Sequence, residues 1–91
     1  MRRPTESLQS LPLRTFATGE VLLCEGGPSE CLYFLEAGTV EVSKEGQAIT
    51  RVREKGAIFG EMSVLLGSPL TATVTAVNEV SCRVVDAPET F

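Results

Sequence analysis

Ninety-one residues suffice for one small domain, and with 43% hydrophobic and 22% charged residues the chain has the balance of a packed globule rather than a disordered segment. A formal charge of −4, from 12 acidic and 8 basic residues with no basic stripe at helical spacing, argues against a nucleic-acid-binding surface. The chain has no His, and Cys24, Cys31 and Cys82 follow no CxxC spacing, so neither a zinc site nor histidine-based catalysis is expected. All three cysteines sit in apolar runs, where Cys acts as a small hydrophobe, and three buried thiols are expected. No apolar run approaches the ~20 residues of a membrane span. Arg2 and Arg3 are followed by no secretory apolar core, so the expected compartment is the cytoplasm.

Residues 1–15 are mixed and punctuated by Pro4 and Pro12. A short helix opening at Thr5-Glu6-Ser7-Leu8 would be limited by Pro12. From Phe16 short apolar runs alternate with Gly, Pro and Glu. Strands are predicted at Val21–Cys24 and Cys31–Glu36, the first closed by Glu25-Gly26-Gly27-Pro28 and the second by Ala37-Gly38. Thr39–Ser43 alternates polar and apolar residues, Lys44-Glu45-Gly46-Gln47 reads as a turn, and Ala48–Val52 is extended again, which together predict a hairpin. After a short run at Ala57–Phe59, apolar residues Met62, Leu65 and Leu66 fall on a helical period and Gly67-Ser68-Pro69 stops it, predicting one short helix. Leu70–Val77 alternates, with Leu70, Ala72, Val74 and Ala76 on one face and Thr71, Thr73 and Thr75 on the other. Val80–Val85 is a last strand, and Asp86-Ala87-Pro88-Glu89 reads as a helix start. Many short strands at such spacing predict a sandwich or barrel.

The order of these elements resembles the cyclic-nucleotide-binding family. Phe16-x-x-Gly19-Glu20, Glu25-Gly26 and Leu32-Tyr33-Phe34-Leu35-x-x-Gly38-x-Val40-x-Val42 are similar to its first half. Gly56-x-x-Phe59-Gly60-Glu61-x-x-x-Leu65-Leu66, followed by Thr71-Ala72-Thr73-Val74-x-Ala76, is similar to its phosphate-binding cassette. The resemblance covers roughly residues 15–91. It implies a mainly β fold, a jelly-roll (double-stranded β-helix) barrel over residues 16–91 with a short cassette helix and flanking helical segments. The implied ligand is a cyclic nucleotide, cAMP or cGMP, or another small anion, held by Phe59, Gly60, Glu61, Met62, Leu70, Thr71 and Ala72. Gly60 lacks a Cβ and admits close approach and unusual φ values. A helix opening at Gly60-Glu61-Met62 would aim unpaired N–H groups and a positive dipole end at an anion. Glu61 resembles the glutamate that accepts the ribose 2′-hydroxyl; as a plain surface acid it would also suit a helix N-terminus. Thr71 reads either as a phosphate or guanine contact or as an ordinary strand threonine.

Leu70 departs from the family pattern, in which an arginine at this place pairs with the cyclic phosphate. Losing one half of a buried charge pair costs ~2–5 kcal/mol, or about 1.5 to 3.5 orders of magnitude in affinity. The resemblance therefore implies a sensor with weak or altered cyclic-nucleotide binding, and Arg51, Arg53 and Arg83 are the alternative cations. A ligand-independent interaction or dimerisation module on the same fold is the competing reading, with Leu70 filling the vacated pocket. Relatives signal through helices after the barrel, which here would lie past Phe91, so an effector protein or a further effector domain is expected, and a homodimer stays open. An enzyme is not expected: no Ser, Cys or carboxylate pair has an activating partner in the sequence.

Overall fold

The computed structural model describes residues 11–28, 31–60 and 69–86, which form eight strands: β1 Leu13–Phe16, β2 Val21–Leu23, β3 Cys31–Ala37, β4 Val40–Lys44, β5 Gln47–Val52, β6 Ile58–Phe59, β7 Thr73–Ala76 and β8 Val80–Asp86. They make two four-stranded antiparallel sheets, one in the order β1-β8-β3-β6 and the other β2-β7-β4-β5. Each sheet mixes strands from both halves of the chain, so successive strands often change sheet, as in a jelly roll. The connection from β6 to β7 passes from one sheet to the other.

Period-two alternation explains which side chains meet between the sheets, except in β2, where an irregularity between Val21 and Leu23 leaves both Leu22 and Leu23 buried. The first sheet contributes Phe16, Tyr33, Leu35, Phe59, Val80 and Cys82; the second contributes Leu22, Leu23, Val40, Val74 and Ala76. Leu70, just ahead of β7, joins the same cluster. Phe16 and Tyr33 stand edge to face, with centroids 5.6 Å apart and planes at 84°. The β4–β5 hairpin turns on Glu45 (φ 52°) and Gly46 (φ 80°), a two-residue connection whose twist matches that of its strands.

Two sequence expectations change. Leu13–Thr15 had no strand signal, yet they open β1, paired with β8 from Leu13↔Arg83 to Phe16↔Val80. Of the three cysteines only Cys82 is buried; Cys31 is half-buried and Cys24 exposed. Cys24 lies past the end of β2, where its carbonyl accepts the Gly27 N–H at 3.1 Å, so the turn carries it out of the core. The expected helices at Thr5–Leu8, within Gly60–Leu66 and after Asp86 fall largely or wholly on positions outside the described residues. No helix among the described residues is long and apolar enough to cross a membrane.

Burial pushes the Cys82 thiol up from 9.0 to about 11. The folded state then keeps a proton that the unfolded chain releases, so the thiol's contribution is whole below pH 9 and is lost as pH rises toward 11. Thermal melts should show stability falling across that window by on the order of 2 kcal/mol, and Cys82→Ala should flatten that part of the profile.

Candidate functional site

The two ends of the cassette are fixed by different sheets. Phe59 ends β6 opposite Tyr33 on β3, and its side chain is buried. Gly60 follows at φ 91°, a left-handed backbone that a residue with a Cβ rarely adopts, so the turn out of β6 depends on glycine. Glu61 and Met62 lie outside the described residues.

At the far end of the cassette Leu70 is clamped by main-chain bonds. Its carbonyl accepts the Gly26 N–H at 2.7 Å and its N–H donates to the Gly27 carbonyl at 2.9 Å. Its side chain is 9% exposed and belongs to the core cluster. Thr71 is exposed and Ala72 half-buried. The Glu25 N–H donates to Thr73 Oγ1 at 3.0 Å, and the Glu25 carboxylate accepts the Glu45 N–H at 2.9 Å, tying the 24–27 turn to the β4–β5 hairpin. The structure therefore brings Leu70, Thr71 and Ala72 beside Gly26–Gly27, and places Phe59 and Gly60 on the other sheet. Glu25 went unnoticed in the sequence as a site neighbour, because its partners lie 48 and 20 residues away.

Three of the four described arginines are engaged elsewhere. Arg83 donates to the Leu11 carbonyl at 3.0 Å and stands 3.7 Å from Glu36, with its Nε buried and lacking a hydrogen-bond acceptor. Arg51 pairs with Glu41 at 3.3 Å. Arg14 donates to the Tyr33 hydroxyl at 3.1 Å and lies 4.9 Å above the Phe16 ring. Burial, reinforced by Cys31, pushes the Tyr33 phenol up to about 12, so it stays neutral. Arg53, with Arg51, Thr39, Glu54, Val77 and Asn78, lines a cavity of about 500 Å³. That cavity lies at the end of the second sheet where β4 begins and β7 ends, opposite the Leu70 end. Arg51 and Arg53 thus lie at the far end from Leu70–Ala72, while Arg14 and Arg83 are bonded to Tyr33 and to the Leu11 carbonyl. Among the described residues no three His, Cys, Asp or Glu side chains gather to hold a metal.

Two interleaved antiparallel sheets around one core, bridged by a glycine-led connection returning beside Gly26–Gly27, define a jelly-roll barrel with a cassette strung between its sheets. The family model for the cyclic nucleotide-binding domain matches residues 13–90. The chain belongs to that family. It is 35% identical over 71 residues to a cAMP-dependent protein kinase regulatory subunit of Debaryomyces hansenii, a match covering 78% of this chain and 16% of that protein. Among solved structures, a cAMP-bound PfPKA-R fragment superposes with TM-score 0.79 at 28% identity, over 85% of this chain and 27% of that one. The regulatory subunit of a cAMP-independent protein kinase A from Trypanosoma cruzi, bound to guanosine, gives 0.79 at 25% identity, over 86% and 28%. The chain thus corresponds to a small part of each relative.

Proposed function

We propose that this chain is a regulatory small-molecule-sensing domain in which cAMP or cGMP binds weakly, because Leu70 stands where the phosphate-binding arginine is expected. One observation carries the reading: Leu70, which offers no charge, is turned into the core and clamped to Gly26–Gly27, while Arg83, Arg51 and Arg14 are engaged by the Leu11 carbonyl, Glu41 and the Tyr33 hydroxyl. Phe59, Gly60, Glu61, Met62, Leu70, Thr71 and Ala72 line the site in this reading, with Glu61 receiving the ribose hydroxyl. The two solved relatives support it from both sides, since one holds cAMP and the other a nucleoside with no phosphate at all. The barrel over residues 16–91 acts on an effector protein or a further effector domain in the cytoplasm, and catalyses nothing itself.

Calorimetric titration with cAMP and cGMP tests this. The expected dissociation constant is micromolar or weaker, that is, about 8 kcal/mol of binding free energy or less. Nanomolar affinity would sink the proposal of a weakened cassette. The second reading, a ligand-independent interaction module, is favoured by the burial of Leu70 in the core cluster. It predicts neither heat nor a thermal shift at millimolar ligand.

A further inference from the structure

We infer that Lys44 supplies the cationic contact to an anionic ligand at the Leu70 end of the barrel, standing in for the guanidinium that Leu70 cannot provide; this rests on the sensing function proposed above. β4 and β7 pair as an antiparallel ladder. That ladder runs without interruption through Val40↔Ala76, Glu41↔Thr75, Val42↔Val74 and Ser43↔Thr73. Carried one position past the end of that ladder, the same register would set Lys44 against Ala72, which lies just ahead of β7. The irregularity in the neighbouring β4–β5 ladder leaves this register untouched, because it places the extra residue on β5: Val42 pairs with Thr50 and Ser43 with Ala48.

Directly opposed residues in an antiparallel pair share a face, and alternate residues along a strand share it too. Val40, Val74 and Ala76 are buried and Val42 packs against the core, so these residues belong to the barrel's inner face, and alternation continues their rows to Lys44 and Ala72. Lys44 heads that row at its open end, where β4 stops and the side chain is exposed. Leu70, Thr71 and Ala72 return to this same end of the sheet.

The charges nearby fit the assignment. Lys44 has no ion-pair partner among the described residues, in contrast to Arg51, Lys55 and Arg83, which pair with Glu41, Glu36 and Glu36. The acids at this end are Glu25 and Glu45. The Glu25 carboxylate accepts the Glu45 N–H, its main chain donates to Thr73, a residue of the outward-facing row, and no ion pair among the described residues joins either acid to Lys44. Lys44 is thus an ammonium with no ion-pair partner among the described residues, at the edge of a site where Leu70 replaces the family's arginine. A flexible ammonium gives a weaker, less directional contact than a bidentate guanidinium, which agrees with weak phosphate binding.

The test is calorimetric titration of the full chain and of its Lys44→Gln and Lys44→Arg variants, with cAMP and, as a phosphate-free control, adenosine. The expected result is an approximately tenfold loss of cAMP affinity in Lys44→Gln, no change for adenosine, and recovery in Lys44→Arg. The difference between wild type and Lys44→Gln should also shrink as salt is raised. Unchanged cAMP affinity in Lys44→Gln, or an equal loss for both ligands, overturns the assignment and leaves the sensing function standing. If the wild type binds neither ligand, both are overturned.

Discussion

Replacing Gly38 by Ala should lower stability by at least ~3 kcal/mol. Gly38 joins β3 to β4 at φ 98°, where an L side chain is strained before any contact is considered. A Cβ there would run into the Glu79 carbonyl oxygen and would lie 2.8 Å from Val80 Cα and 2.9 Å from Val80 Cγ2. Two of these obstacles are backbone, and Val80 is 0% exposed and paired with Phe16 across β8–β1, so neither can retreat without disturbing the core. A domain of this size has only about 5–14 kcal/mol in hand, and each kcal/mol lost should lower the melting temperature by ~4–8 °C. A thermal melt of Gly38→Ala should therefore move by 10 °C or more, on the order of the sum of those costs. A change within a degree or two would mean that the β3–β4 corner relaxes far more freely than its packing allows.

The sequence made this corner visible only as a glycine closing a strand. The partner that makes it irreplaceable, the Glu79–Val80 backbone, lies some forty residues on, and no local pattern announces it. The same distinction runs through the whole fold. Strands whose inner face alternates, such as β3, β4 and β7, were readable because burial on one side imprints period two on the residues. β1 left no such imprint: Leu13, Arg14 and Thr15 are all exposed and only Phe16 is buried, so the strand exists through its pairing with β8. Cys24 misled for the converse reason, since an apolar run in sequence continued one residue beyond the strand that buries it. At the candidate site the substitution at position 70 was plain from the motif, whereas its clamp on Gly26–Gly27 was not. Nor did the sequence show which arginines were spoken for. The acceptors of Arg83 and Arg14 are a distant carbonyl and a phenol, neither of which a charge pattern records.

Restoring the missing guanidinium with Leu70→Arg should raise cAMP affinity by about 1.5 to 3.5 orders of magnitude while making the unliganded domain less stable. On the proposed reading the gain follows from pairing a buried phosphate with a bidentate cation where leucine offers neither donor nor charge. The loss follows from what Leu70 does now. Its side chain is 9% exposed within the core cluster, and removing a buried leucine from such a cluster costs ~2–5 kcal/mol. Arginine keeps some of that packing through its aliphatic stem, so the loss should sit at the low end of the range. The clamp itself uses only main-chain atoms and survives the substitution, which keeps position 70 in place. Melting with and without ligand separates the two effects: Leu70→Arg should melt below wild type alone and at or above it with saturating cAMP, since binding to the folded state adds stability. Leu70→Met, which preserves volume without charge, should leave both stability and affinity near wild type. If Leu70→Arg binds cAMP no better than wild type, the weakness does not arise at position 70. The barrel would then have given up its ligand through more than one residue, and the interaction-module reading would gain the ground that the sensor loses.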